Sequence, residues 1–173
     1  MKNMATIAQA SETFTRLHDG FPSMLTKVIQ DNGRELGSYV REQLWAGLDG
    51  NEKELRPTYL TDPYFKERYG SAWRLMAERY ADWKMEITPP SMGGGRLGFR
   101  PRPRVVPNLF IDGTFHRSIE PRNIENGISF HSDVGFASDI ERKYHDDIYK
   151  ISRTARKHFI DNVVSGAVKL YWS

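Results

Sequence analysis

The stretch Pro107–Ser132 carries the clearest strand pattern in the chain, and it constrains the fold most. An apolar anchor (Leu109, Phe110, Ile111) leads into the turn signal Asp112-Gly113. An alternating run follows at Phe115, Arg117 and Ile119. A polar Arg122-Asn123…Glu125-Asn126-Gly127 turn comes next, then a second alternating run at Ile128 and Phe130. Alternation puts one set of side chains on one face of a strand, and two such runs joined by a polar turn predict a β-hairpin with one buried face. The chain before this stretch reads as helix or loop and the chain after it as helix. The predicted class is therefore α+β, a small antiparallel hairpin or sheet packed on long helices.

The helical segments follow from spacing and caps. Residues 3–19 place Ile7, Ala10, Phe14 and Leu17 at helical intervals, and residues 1–20 are read as an N-terminal arm or helix that breaks at Gly20-Phe21-Pro22. Ser23 is positioned to cap a helix over 23–47, with Leu25, Val28, Ile29, Leu36, Tyr39, Val40, Gln43 and Leu44 recurring at three and four. Gly33 and Gly37 inside it each cost about 1 kcal/mol relative to alanine. As two small residues four apart, they also permit close approach of another element. Residues 48–60 read as a loop with room for a small hairpin. Asp62-Pro63 is a strong helix start, and the helix is expected to reach Lys84. Its stripe of Phe65, Tyr69, Trp73, Met76, Tyr80 and Trp83 predicts core or subunit interface rather than a base-stacking platform. After the hairpin, Ser138 is expected to cap a helix over 138–147, and Ser152 another over 152–170. Leu170-Tyr171-Trp172 then anchors the C-terminus against the core or a neighbour.

At 173 residues the chain is read as a single domain, 1–173. It has 25 basic and 22 acidic residues, a balance of +3 that is far from that of a dedicated nucleic-acid binder. The absence of cysteine excludes disulfides, thiol catalysis and cysteine metal sites. No apolar run approaches the roughly 20 residues of a membrane span. The first residues lack the apolar core of a signal peptide, so folding in a cytosol is expected.

Residues 88–107 hold five prolines, four glycines and four arginines and no acid. That composition predicts an extended loop or arm, ordered on docking. Its guanidinium groups (Arg96, Arg100, Arg102, Arg104) suit pairing with carboxylates of a neighbouring subunit, or contact with phosphates. Gly93-x-Gly95-x-x-Gly98 matches a dinucleotide fingerprint in letters alone. The prolines on both sides deny it the strand and helix that the chemistry needs. His131-Ser132-Asp133 has the spacing of two iron ligands, with His145, His158 or His116 as the third, but lacks the barrel such sites are built on. His145-Asp146-Asp147 reads as a solvated helix end. There is no Gly-x-Ser-x-Gly nucleophile motif. No reaction and no cofactor are expected.

Leu109-Phe110-Ile111-Asp112-Gly113-Thr114-Phe115-His116-Arg117-Ser118-Ile119 resembles the Leu-x-x-Thr-Gly-x-Leu/Phe-x-x-Ser-Ile element of tailed-phage neck and tail-completion proteins. Asp112 stands where that element usually has Thr. The versions from phages of gut Bacteroides (the crAss-like phages) are the most similar. They carry Gln-Leu-Trp/Tyr-x-x-Gly-x-Asp and Tyr-x-x-Trp-Lys upstream and Glu-x-Lys-Tyr downstream. This chain has Gln43-Leu44-Trp45-Ala46-Gly47-Leu48-Asp49, Tyr80-Ala81-Asp82-Trp83-Lys84 and Glu141-Arg142-Lys143-Tyr144. The resemblance covers roughly residues 40–150. It implies a small α+β head-to-tail connector that closes a homo-oligomeric ring of six or twelve copies. It further implies contacts with portal, adaptor or tail ring proteins, assembly in the host cytoplasm, and a DNA channel through the virion neck or tail. The residues expected at the interfaces are Arg96, Phe99, Arg100, Arg102, Arg104, His116, Arg117 and Ser118. Two rival readings remain: a nucleic-acid-binding accessory protein using the same arginines, and a small hydrolase or metal enzyme using His131, Asp133 and His145.

Overall fold

The computed structural model describes residues 7–89 and 95–173. The expected helix start at residue 3 lies outside them, as do Gly93 and residues 90–94 of the expected arm. The elements run α1 (Ile7–Asp31), α2 (Gly33–Trp45), α3 (Pro63–Tyr69), α4 (Trp73–Glu86), α5 (Thr114–Arg117), β1 (Ile119–Ile124), β2 (Gly127–Ser132), α6 (Ala137–Tyr144), α7 (Arg153–Phe159) and α8 (Ser165–Tyr171). The architecture is α+β, helices around one two-stranded antiparallel sheet. No described helix is long and apolar enough to cross a membrane.

The first helical boundaries differ from those the sequence predicts. α1 continues through Gly20-Phe21-Pro22, and the break falls at Asn32, with φ −105° and ψ 20°. Proline inside a helix removes one backbone hydrogen bond and crowds the preceding turn. Here that turn is held from outside. The Tyr171 hydroxyl donates to the Leu17 carbonyl at 2.7 Å, and Phe21 packs on Tyr171 and Trp172 with centroids 5.8 Å apart in each pair. The C-terminus is thus anchored on α1.

The hairpin forms with Ile124 opposite Gly127 and Pro121 opposite Phe130. Its first strand starts later than the alternation suggests. Phe115 and Arg117 lie in α5, a single helical turn. Gly113 takes φ +84°, and the Asp112 carboxylate accepts the Thr114 amide at 2.9 Å, which starts that turn. The pair Gly33 and Gly37 is the seat of the hairpin. A Cβ at Gly33 would stand 2.6 Å from Ile128 Cδ1 and 3.0 Å from Pro121 Cβ, and one at Gly37 would stand 3.4 Å from Phe130 Cε1.

The main core joins Leu36, Tyr39, Val40 and Leu44 of α2 to Phe115, Ile119, Phe130, Ile148, Ala155 and Phe159. A second cluster holds Tyr59, Phe65, Ala77 and Ala81, with Tyr69, Trp73, Met76 and Tyr80 packed against it. The aromatic stripe is therefore mostly internal packing. It spans two helices, because Gly70 at φ +51° opens a short 3-10 turn between α3 and α4. Asp62 accepts the Tyr64 amide at 3.1 Å and caps α3. In the 48–60 loop, Leu48 and Glu54 form an isolated antiparallel bridge. α6 starts one residue before Ser138, with no side-chain cap. Ser152 does cap α7, its Oγ accepting the Ala155 amide at 3.2 Å, and a π-helical turn (Ile160–Val164) carries α7 into α8.

Alanine at position 33 improves intrinsic helix propensity by about 1 kcal/mol. The added methyl would meet Ile128 Cδ1 and the stiffer ring of Pro121, so the hairpin has to shift to admit it. G33A is therefore expected to lower stability by about 1–3 kcal/mol in urea denaturation. A stabilised G33A would contradict this seat.

Candidate functional site

The two edges of the hairpin are unequal. A two-residue turn makes Ile124 and Gly127 a hydrogen-bonded pair, so bonding alternates from there. The backbone groups of Ile119, Pro121 and Asn123 then face outward from β1, and those of Ile128, Phe130 and Ser132 face outward from β2. The β1 edge is blunted. Pro121 has no N–H, and Arg41 Nη1 donates to the Ile119 carbonyl at 3.1 Å. The β2 edge is open. Among the described residues, no hydrogen bond engages the outward groups of Ile128 or Phe130. An open groove of about 780 Å³ adjoins it, walled on the far side by Tyr149, Lys150, Ile151 and Arg156.

The far wall is fixed firmly. Gln43, fully buried on α2, donates from Nε2 to the Lys150 carbonyl at 2.5 Å and accepts the Ser152 amide at 3.1 Å. Gly50 lies so close to the Lys150 backbone that any Cβ there would collide with it.

The expected interface arginines do not form one exposed set. Arg96 pairs with Glu35 at 3.0 Å, bonds to Ser38 and lies 5.0 Å over the Tyr39 ring. Arg102 is buried. Its Nη1 donates to the carbonyls of Val106 at 2.8 Å and Arg104 at 3.1 Å, and its Nη2 to that of Lys84 at 3.2 Å. Arg104 pairs with Asp82 at 2.6 Å. Arg100 is exposed, with no hydrogen bond among the described residues. Phe99 is half-buried against the main core. Within residues 95–107, Arg96, Arg102 and Arg104 are thus each bonded to other parts of the chain.

The hairpin-side candidates also separate. Arg117 donates to the Asp112 carbonyl at 3.0 Å. Ser118 donates to the Phe115 carbonyl at 2.8 Å and meets the Ser132 hydroxyl at 2.6 Å. His116 is buried, with Nε2–H donating to the Asn108 carbonyl at 2.7 Å and the ring edge-on to Trp45. Burial pushes its pKa down to about 4. The bond to Asn108 opposes that shift, and the charges of Lys84 and Arg41 add to it. Arg102 and His116 therefore present no side chain to a neighbour. Both were expected outside because sequence shows charge and not burial.

The remaining motifs stay unassembled. The Glu42 carboxylate accepts the Leu97 amide at 2.7 Å and fills the space beside Gly95, where a phosphate would need to sit. His131 Nε2 lies 3.4 Å from Asp133, with Arg122 Nη2 at 3.3 Å, a guanidinium that repels a metal cation. The described residues contain no group of three His, Asp or Glu placed to hold a metal. Comparison with protein-family models, curated proteins and solved structures gives no match.

The sequence reading missed Lys84. It is buried, and its pKa is lowered to about 8 by burial first and by the Arg102 charge second. Its signal was its place three residues after Ala81 and seven after Ala77, on the inward face of α4.

Two outcomes follow from this geometry. R102A loses charge-assisted bonds to four carbonyls, those of Pro103, Arg104, Val106 and Lys84, and is expected to cost about 2–3 kcal/mol, whereas R100A should change stability by less than about 0.5 kcal/mol; equal effects in urea denaturation would contradict these placements. His116 stays neutral in the folded chain down to about pH 4, while the unfolded histidine takes up its proton near 6.5. Its contribution is thus complete above about pH 6.5 and lost as pH falls toward 4, by at most about 3 kcal/mol. H116Q keeps a donor for Asn108 and should flatten that acid limb. An unchanged limb would show that His116 is not its source.

Proposed function

We propose that the chain is a structural subunit of a phage neck or tail ring that joins the portal to the tail. In this reading copies close a ring of six or twelve around a DNA channel. The observation that carries it is the inequality of the hairpin edges. One edge is blunted and the other is open beside a groove. An exposed strand edge is a template for a further strand. The wall at Tyr149–Ile151 bounds the groove on its far side, and an extended segment of a neighbouring copy would lie between it and β2. Such a contact joins two different surfaces of neighbouring copies. That is the head-to-tail type which generates rings when the rotation closes. The short motifs shared with neck and tail-completion proteins support the same reading. Arg100, Arg117 and the rim of the groove then face neighbouring copies or adjacent portal, adaptor or tail rings. The function is geometric, with no reaction and no cofactor.

The alternative, a nucleic-acid-binding accessory protein, draws less support. Of the four arginines, three are engaged within the chain. A single free guanidinium gives a log-log salt slope of only about one.

Quantitative mass spectrometry of purified virions tests the proposal. Six or twelve copies per portal vertex is the expected result. Absence from the particle would overturn it.

A further inference from the structure

Between the C-terminal half of α4, the segment Pro107–Asp112 and α6 lies a cavity of about 310 Å³. That is the lower end of the range in which small-molecule sites fall. Its walls are largely apolar or aromatic, with Tyr59, Tyr80, Leu109, Phe115, Ile140 and Tyr144 contributing faces. Ile111 and Phe136 also line it and are themselves largely exposed, so its opening is apolar too.

Four charged side chains line the cavity, and three are accounted for. Asp112 accepts the Thr114 amide at 2.9 Å, Asp139 pairs with Arg142 at 2.8 Å, and Lys143 pairs with Asp62. The fourth is Lys84. It is 2% exposed and makes no ion pair among the described residues. Arg102 lies beside it, held by backbone carbonyls that carry no net charge. His116 is also near and is neutral at physiological pH. Two buried cations side by side without a carboxylate are expensive, because the low-dielectric interior neither hydrates nor neutralises them. An apolar cavity that presents one such ammonium meets an anion with little competition from water. Attraction between unlike charges is strengthened in that setting.

We propose that this cavity binds a small-molecule carboxylate borne on an apolar body. The carboxylate lies on the Lys84 ammonium and supplies the missing counter-charge. The apolar body lies against the tyrosine and phenylalanine faces and points toward Ile111 and Phe136. The cavity's size suits a single short acyl or aryl acid. This site is separate from the β2 groove and does not depend on the ring reading.

Calorimetric titration at pH 7 with octanoate and with octanol separates the charge from the apolar body. The wild-type chain is expected to bind octanoate at least about tenfold tighter than octanol. K84M keeps the side-chain length and removes a desolvated charge, so it should unfold at or above the wild-type temperature. It should bind octanol as before and lose the preference for octanoate. Equal affinities for the two probes in the wild-type chain, or no binding of octanoate up to millimolar concentration, would overturn the proposal without any variant. An undiminished preference in K84M would overturn the role of Lys84.

Discussion

The close approach of the hairpin to α2 governs the rest of the structure. It is possible because Gly33 and Gly37 present no side chains to Pro121, Ile128 and Phe130. A two-stranded hairpin is marginal alone in water and needs a surface to bury one face. Seating it on α2 brings Ile119 and Phe130 into the core beside Leu36, Val40 and Phe159. The same seating puts Arg41 within reach of the Ile119 carbonyl, which helps to close the β1 edge. β2 is left with its outward groups beside the groove. The helix-propensity cost of two glycines is thus exchanged for a fixed face and a defined open edge.

Buried polar groups hold together what strands and helices do not. Irregular backbone must satisfy its carbonyls somewhere. Arg102 does this for Arg104, Val106 and the end of α4, and Gln43 does it for the chain entering α7. These side chains order the segment 95–107 and the far wall of the groove. They also set Arg102 beside Lys84, which lines one cavity with Tyr59 and Tyr80. The apolar cavity and the rigid segment beside it therefore share one physical origin.

Much of this was legible in the sequence, where local chemistry and tertiary packing agree. Asp62-Pro63 and Ser152 announce their helices through cap chemistry, and the stripe from Phe65 to Tyr80 announces burial through its period. Gly33 and Gly37 signalled a close approach without naming what approaches. The misses arise where a distant contact decides. Pro22 reads as a break until Tyr171 and Trp172 are known to brace its turn. Phe115 and Arg117 alternate like a strand, yet the Asp112 side chain turns them into a helix. Arg102 and Lys84 carry charges that predict exposure, and their burial depends on carbonyls and rings brought together by the fold. The unequal edges of the hairpin were out of reach for the same reason, since one of the two closing groups comes from α2.

Amide hydrogen exchange across Gly127–Ser132, in the free subunit and in the assembled particle, tests the central claim most directly. The outward amides of Ile128 and Phe130 should exchange quickly in the free chain and become strongly protected on assembly, while the outward amide of Asn123 on the blunted strand changes little. Rapid exchange of Ile128 and Phe130 in the assembled particle would contradict the account.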